Sequence, residues 1–178
     1  MAENSWQASS QTPLALMKRI LALLAALCLT ATLIAAGTKK YRGAWFEVHY
    51  PAGFKIQNSI QSSGMPHEFD SAFFVSPDGL VKFYIFSPQW AGETPDIAVK
   101  PELETEKTEK TETTGGFKKR WYTISPRKQG FTRSYVETTN EDGTIRWVIG
   151  IEYADKKAYE KYQSSYLAFK KSLKQFAD

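Results

Sequence analysis

The 178-residue chain has only two histidines, and both lie near carboxylates in sequence. His49 follows Glu47 by two positions, so on an extended strand the two side chains share a face and could act as an acid/base pair. His67, Glu68 and Asp70, in the stretch PHEFD, carry nitrogen and oxygen donors of the kind that hold a metal ion. One histidine and two carboxylates make an incomplete ligand set, and a short polar loop cluster is ordinarily just solvated. The stronger signatures of catalysis are missing. There is no G-x-S-x-G elbow, no P-loop and no G-x-G-x-x-G turn, and the single cysteine, Cys28, lies in an apolar N-terminal run. No catalytic residue, metal site or cofactor is assigned from the sequence.

Binding chemistry has more candidates. Lys118, Lys119, Arg120, Arg127 and Lys128 surround Trp121 and Tyr122, a grouping suited to anionic partners. Strand alternation divides that cluster, because Lys118 and Arg120 point away from Lys119 and Trp121. Trp45, Trp90 and Trp121 would suit recognition of a sugar, peptide or protein where exposed, although burial is the commoner fate of tryptophan. The candidate binding set is Trp45, Glu47, His49, Trp90, Lys119, Trp121, Arg127 and Lys128.

The elements that must position these residues begin after a targeting segment. Lys18 and Arg19 precede an uncharged apolar run, Ile20 to Ala36, which ends in the small residues Ala35, Ala36 and Gly37. That order is the secretory signal pattern, and the small-residue end favours cleavage. The run is also just long enough for an uncleaved anchor, which is the alternative. Lys39, Lys40 and Arg42 put positive charge on the far side of the run too. Cys28 is preceded by Leu27 and sits within the run, so a lipid attachment site is excluded. Residues 1–16 precede a second methionine, Met17, and are either an upstream start or a short disordered extension, in both cases outside the fold. The expected division is residues 1–37 as extension and signal, then one domain over 38–178. That second part has no cysteine, which suits an oxidising envelope compartment, the periplasm.

Residues 44–51, AWFEVHYP, alternate with Phe46, Val48 and Tyr50 on one side and Trp45, Glu47 and His49 on the other, the mark of a half-buried strand. Phe54 to Gln57 is expected to continue it after a kink. SAFFVSPDGLVKFYIFSP, residues 71–88, is a hairpin about the turn formers SPDG. Its second strand is apolar on both faces and therefore central. Residues 104–114 alternate threonine with charge, as a solvent-facing edge strand does; a loop is the other reading. Three further strands follow, 117–125, 131–139 and 144–153. In the last, Ile145, Trp147, Ile149, Ile151 and Tyr153 share a face. From Asp155, a suitable N-cap, Tyr159, Tyr162, Tyr166, Phe169, Leu173 and Phe176 recur at helical spacing and form one stripe. That stripe and the Ile145–Tyr153 face should cover each other. The fold class is α+β, a mainly antiparallel central sheet of about six strands with a C-terminal amphipathic helix packed on it.

WFEVHYPAGFKI, the hairpin that follows it and the ending Tyr159, Tyr162, Tyr166, Ser172-Leu173 resemble the PsbP-like superfamily over most of residues 44–178. That group includes the lumenal photosystem II subunit, bacterial relatives such as DcrB and a eukaryotic nuclear-transport factor. The resemblance implies an α/β/α sandwich and an accessory or binding role, and it transfers no functional residue. The expected function is an exported, non-catalytic accessory or binding protein. Its expected partner is another envelope protein or a small ligand, not nucleic acid. A membrane partner follows only if the N-terminal segment stays uncleaved. The alternatives are a small envelope hydrolase using His49 and Glu47, or a membrane-tethered interaction domain.

Overall fold

The computed structural model describes residues 37–176. The signal-type run at 17–36, Cys28 and the 1–16 extension lie outside the described residues. Strands β1 (Thr38–Arg42), β2 (Phe46–Pro51), β3 (Lys55–Asn58), β4 (Ser71–Val75), β5 (Val81–Phe86), β6 (Glu104–Thr114), β7 (Phe117–Pro126), β8 (Thr132–Asn140) and β9 (Arg146–Tyr153) precede helix α1 (Lys156–Lys171), and a two-residue strand β10 (Lys174–Gln175) follows it. They form an antiparallel seven-stranded sheet in the order β3-β4-β5-β9-β8-β7-β6 and a three-stranded sheet in the order β1-β2-β10.

The β4–β5 hairpin turns where SPDG stands. Asp78 Oδ1 accepts from the Leu80 amide at 3.1 Å and from Ser76 Oγ at 2.7 Å, closing the turn with its own side chain. Strand β5 is central, with Val81, Phe83 and Ile85 buried on one face and Tyr84 and Phe86 on the other. Residues 104–114 do form a strand, at the sheet's edge, and almost every residue in it is exposed. Its charges keep a second sheet from pairing there. Gly115 and Gly116, with φ of 60° and 77°, make the tight turn that reverses the chain into β7.

Helix α1 starts at Asp155, whose Oδ1 accepts from the Ala158 amide at 2.8 Å. Ala158, Tyr166 and Phe169 are its buried positions. They meet Ile149, Ile151 and Tyr153 together with Phe74, Phe83 and the β2 residues Phe46, Val48 and Tyr50 in one core. Among the described residues no helix is long and apolar enough to cross a membrane.

Four features differ from the sequence reading. Residues 55–58 do not extend β2; they join the other sheet, pairing with β4. The seven-stranded sheet excludes β2, which pairs instead with β1 and β10. The aromatic stripe outlives its helix: Leu173 and Phe176 lie past Lys171, and the chain there straightens to pair with β2. On β9 only the C-terminal half faces the helix. Trp147 packs edge-on against Phe117 at 5.4 Å, and Ile145 is exposed.

The second face of the large sheet is covered by the connection between β5 and β6, which carries one turn of 3-10 helix at Pro95–Ile97. Ile97 packs on Tyr84, Phe86, Tyr122, Ile124, Tyr135 and Val148, a second core on that side.

Candidate functional site

The sheet register lines up three rows on the face beneath that connection. Lys82, Glu152 and Arg133 are consecutive neighbours across β5, β9 and β8. Tyr84, Gly150, Tyr135 and Tyr122 form the next row, and Phe86, Val148, Glu137 and Arg120 the third. Period-two alternation sends every second residue of these strands to this face, so charged residues interrupt strands that are apolar elsewhere.

The first row opens into a cavity of about 480 Å3 between sheet and connection, lined by Lys82, Arg133 and Glu152 below and Asp96, Lys100 and Glu104 above. Arg133 is the anchor. Its guanidinium donates to the Ile97 carbonyl at 3.0 Å and to Glu104 Oε2 at 2.6 Å, tying the connection to the sheet. Such a planar fork suits bridging of that kind. Glu152 is buried, accepts from the Tyr135 hydroxyl at 2.8 Å and pairs with Lys82 at 3.3 Å. Asp96 accepts from Tyr84 at 2.9 Å and from Ser71 Oγ at 2.9 Å. Burial pushes the Tyr84 and Tyr135 phenols up, and the adjacent carboxylates Asp96 and Glu152 push them further, so both stay protonated donors. Three cations and three carboxylates thus surround one cavity, and every carboxylate already accepts at least one hydrogen bond.

The third row anchors an ion-pair network, in which Arg120 also reaches Glu106 on β6 at 2.7 Å. Glu137 bridges Arg120 and Arg146, and Arg146 reaches the Gly92 carbonyl and Thr94 Oγ1, fastening the start of the connection. Burial opposes ionisation of Glu137, but the hydrogen bonds and charge of Arg146 and Arg120 outweigh it and hold the carboxyl below its usual range.

A second cavity of about 370 Å3 adjoins the first through Lys100 and Glu104. Arg127, Lys128 and Phe131 line it, and Arg127 Nε donates to the Pro101 carbonyl at 3.2 Å. The two basic residues of the β7–β8 turn therefore stand beside the cleft. Lys119 and Trp121 do not. Trp121 lies on the helix side of the sheet under Lys110, in a groove of about 350 Å3 shared with Tyr159, Tyr166 and Leu167. Lys119 is exposed two residues before it.

Trp45 is buried, not presented to solvent. Its indole Nε1 donates to Ser62 Oγ at 3.3 Å, and Trp90, half exposed, packs against it at 6.1 Å. His49 and Glu47 occupy the outer face of the small sheet. Their nearest nitrogen and oxygen are 4.0 Å apart, and Glu47 is engaged by Lys40 at 3.1 Å, so the pair lacks the 2.6–3.2 Å contact that proton transfer uses. Neither residue lines the three cavities described above. His67 and Glu68 face solvent, whereas Asp70 turns inward, so the PHEFD donors diverge. Among the described residues no three histidine, cysteine or carboxylate side chains converge as a metal site would require.

The residues of the first row were missed from sequence although a signal was present. Lys82 and Glu152 sit in strands whose both faces are otherwise apolar, and a charge inside such a strand needs a partner on its neighbour.

No family model matches the chain, and no curated protein matches it. Among solved structures it is similar to the solution structure of cyanobacterial PsbP (CyanoP) from Synechocystis sp. PCC 6803, with 11% identity over 79% of this chain and 94% of that one, at a TM-score of 0.49. The likeness is one of fold only.

Proposed function

We propose that this chain is an exported, non-catalytic accessory or binding protein of the cell envelope, and that the cleft between the seven-stranded sheet and the 95–104 connection takes its ligand or partner. The observation that carries the reading is the cleft's charge arrangement. Lys82, Lys100 and Arg133 oppose Asp96, Glu104 and Glu152 around one cavity, and the carboxylates are already held by tyrosine, serine, arginine and backbone donors. Groups fixed in that way orient a polar ligand with little reorganisation at the moment of binding. None is left as a free base beside a nucleophile, which is what hydrolysis would need. Export rests on the basic, apolar and small-residue order of residues 18–37, and the periplasm is the compartment that order implies.

The test is affinity capture from an envelope extract with the wild-type protein and with Lys100→Glu, which reverses one exposed charge at the cleft mouth. The wild type should capture a partner in stoichiometric amount, or gain thermal stability with a small-molecule fraction, and the variant should lose that effect. Turnover in a hydrolase screen with no capture and no stabilisation would overturn the reading.

A further inference from the structure

The outer face of the three-stranded sheet is distinct from the cleft and lies on the opposite side of the large sheet. Phe46, Val48 and Tyr50 of β2 point into the core, so Glu47 and His49 lie on the other face, His49 exposed and Glu47 buried beneath its neighbours. The register places Lys40 opposite His49, and Arg42 and Lys174 on either side of Glu47. Three cations therefore surround one carboxylate. The neighbouring helix turns Ala158, Tyr166 and Phe169 inward. Helical periodicity leaves Lys157 and Lys171 on the outward side, both exposed and neither in an ion pair. The helix end is locked to the sheet, since the His49 amide donates to Ser172 Oγ at 2.8 Å. Helix and small sheet thus both carry exposed cations, and beside the small sheet the Arg42 guanidinium lies 4.9 Å from the centroid of the Phe176 ring.

We propose that this surface docks onto anionic lipid headgroups. Two observations select that occupant. The excess positive charge complements an anionic leaflet, whose surface potential attracts clustered Lys and Arg within a Debye length. The second, which rests on the reading in which residues 20–36 stay uncleaved, is the position of the surface in the chain. Strand β1, which carries Lys40 and Arg42, follows the apolar run 20–36 after a single glycine, and the Gly37 carbonyl is held by the Ala52 amide at 2.8 Å. A basic strand emerging directly from an apolar segment of that length is where headgroup contacts form, and β10 adds Lys174 from later in the sequence. Ligand and membrane would then meet opposite faces of one sheet, leaving the cleft open while the protein is docked.

The full chain decides this by lysine acetylation footprinting with vesicles. Phosphatidylglycerol mixed into phosphatidylcholine should protect Lys40, Lys157, Lys171 and Lys174 several-fold. Lys100 and Lys128, on the cleft side, should react as before. Phosphatidylcholine alone should give no such difference, which separates the charge effect from any insertion of residues 20–36, and raised salt should abolish it. The Lys40→Gln, Lys171→Gln, Lys174→Gln triple variant, altered only at exposed side chains, should lose protection at Lys157. Equal protection of all lysines, or of none, overturns the proposal. So does protection of the same lysines by polyglutamate but not by vesicles, which would assign the surface to an acidic protein.

Discussion

Tyr135 and Gly150 face each other across the β8–β9 register, and the tyrosine ring fills the space where a side chain at position 150 would begin. Tyr84 stands on the other side of the same glycine, so the glycine lets two rings approach over one backbone position, 5.8 Å apart and edge to face. Both hydroxyls serve the cleft, Tyr84 through Asp96 and Tyr135 through Glu152.

Gly150→Ala should therefore displace Tyr135 and cost about 1–3 kcal/mol, the usual range for overpacking a filled core. Urea denaturation measures it. The neighbouring Ser134 carbonyl also lies close to the new methyl, so the backbone has little room to give. An unchanged midpoint would mean that the ring swings aside freely.

Phe169 is 1% exposed and sits against Phe74 and Phe83 at 5.2 and 5.3 Å. Truncation to alanine should cost about 3–5 kcal/mol. It should leave binding at the cleft intact in whatever fraction remains folded, because the helix and the cleft lie on opposite faces. A ligand affinity that fell with no loss of stability would instead assign the aromatic stripe to recognition.

Asp78 gives the fold a defined weakness to acid. Burial opposes its ionisation, but hydrogen bonds from Lys161, Ser76, the Leu80 amide and Tyr162 outweigh it and hold the carboxyl far below the usual aspartate range. A group depressed in the folded state contributes stability that is complete above its unfolded value near 3.9 and is lost as pH falls through the folded value. Melting temperature should thus decline below about pH 4, and Asp78→Asn should flatten that decline while lowering stability at neutral pH. The pair Lys161–Asp78, at 2.8 Å, also links the β4–β5 turn to the helix, so the variant should loosen both in hydrogen exchange.

Asp70 runs the other way. It is buried, one carboxyl oxygen has no hydrogen-bond partner, and burial raises its pKa against the help of Ser62. A carboxyl raised in the folded state lowers stability progressively as pH climbs from the unfolded value to the folded one, and the loss persists above it. Asp70→Asn removes the buried charge and should therefore stabilise the protein at pH 7, and the gain should shrink toward acid. Thermal melts across that range check it, and destabilisation at every pH would show that the charge is needed.

Local chemistry was the legible part of the sequence. The SPDG turn, the threonine-and-charge edge strand, the double-sided β5 and the Asp155 cap each announce themselves within a few residues, because turn geometry, solvation and capping are short-range effects. Partition between sheets was not legible. The alternation of Phe46, Val48 and Tyr50 says that one face is buried but not against which neighbours, and the kink at Pro51 to Phe54 reads the same whether the chain stays in its sheet or leaves it. The cleft was hidden for a related reason. Lys82, Arg133 and Glu152 are about 20 to 70 positions apart and meet only through the register of three strands. The basic turn at Arg127 and Lys128 could be read as a candidate because its charges are adjacent in sequence.

Strand β2 is bordered by the first and the last described strands, β1 and β10. A polypeptide made or threaded from its N-terminus cannot complete that sheet until residues 174 and 175 have emerged. Until then β2 keeps an open edge. Closure of so distant a pairing is slow compared with local hairpins. The order of strands therefore works as a delay: the small sheet closes only when Lys174 and Gln175 join it, later than any hairpin of the large sheet.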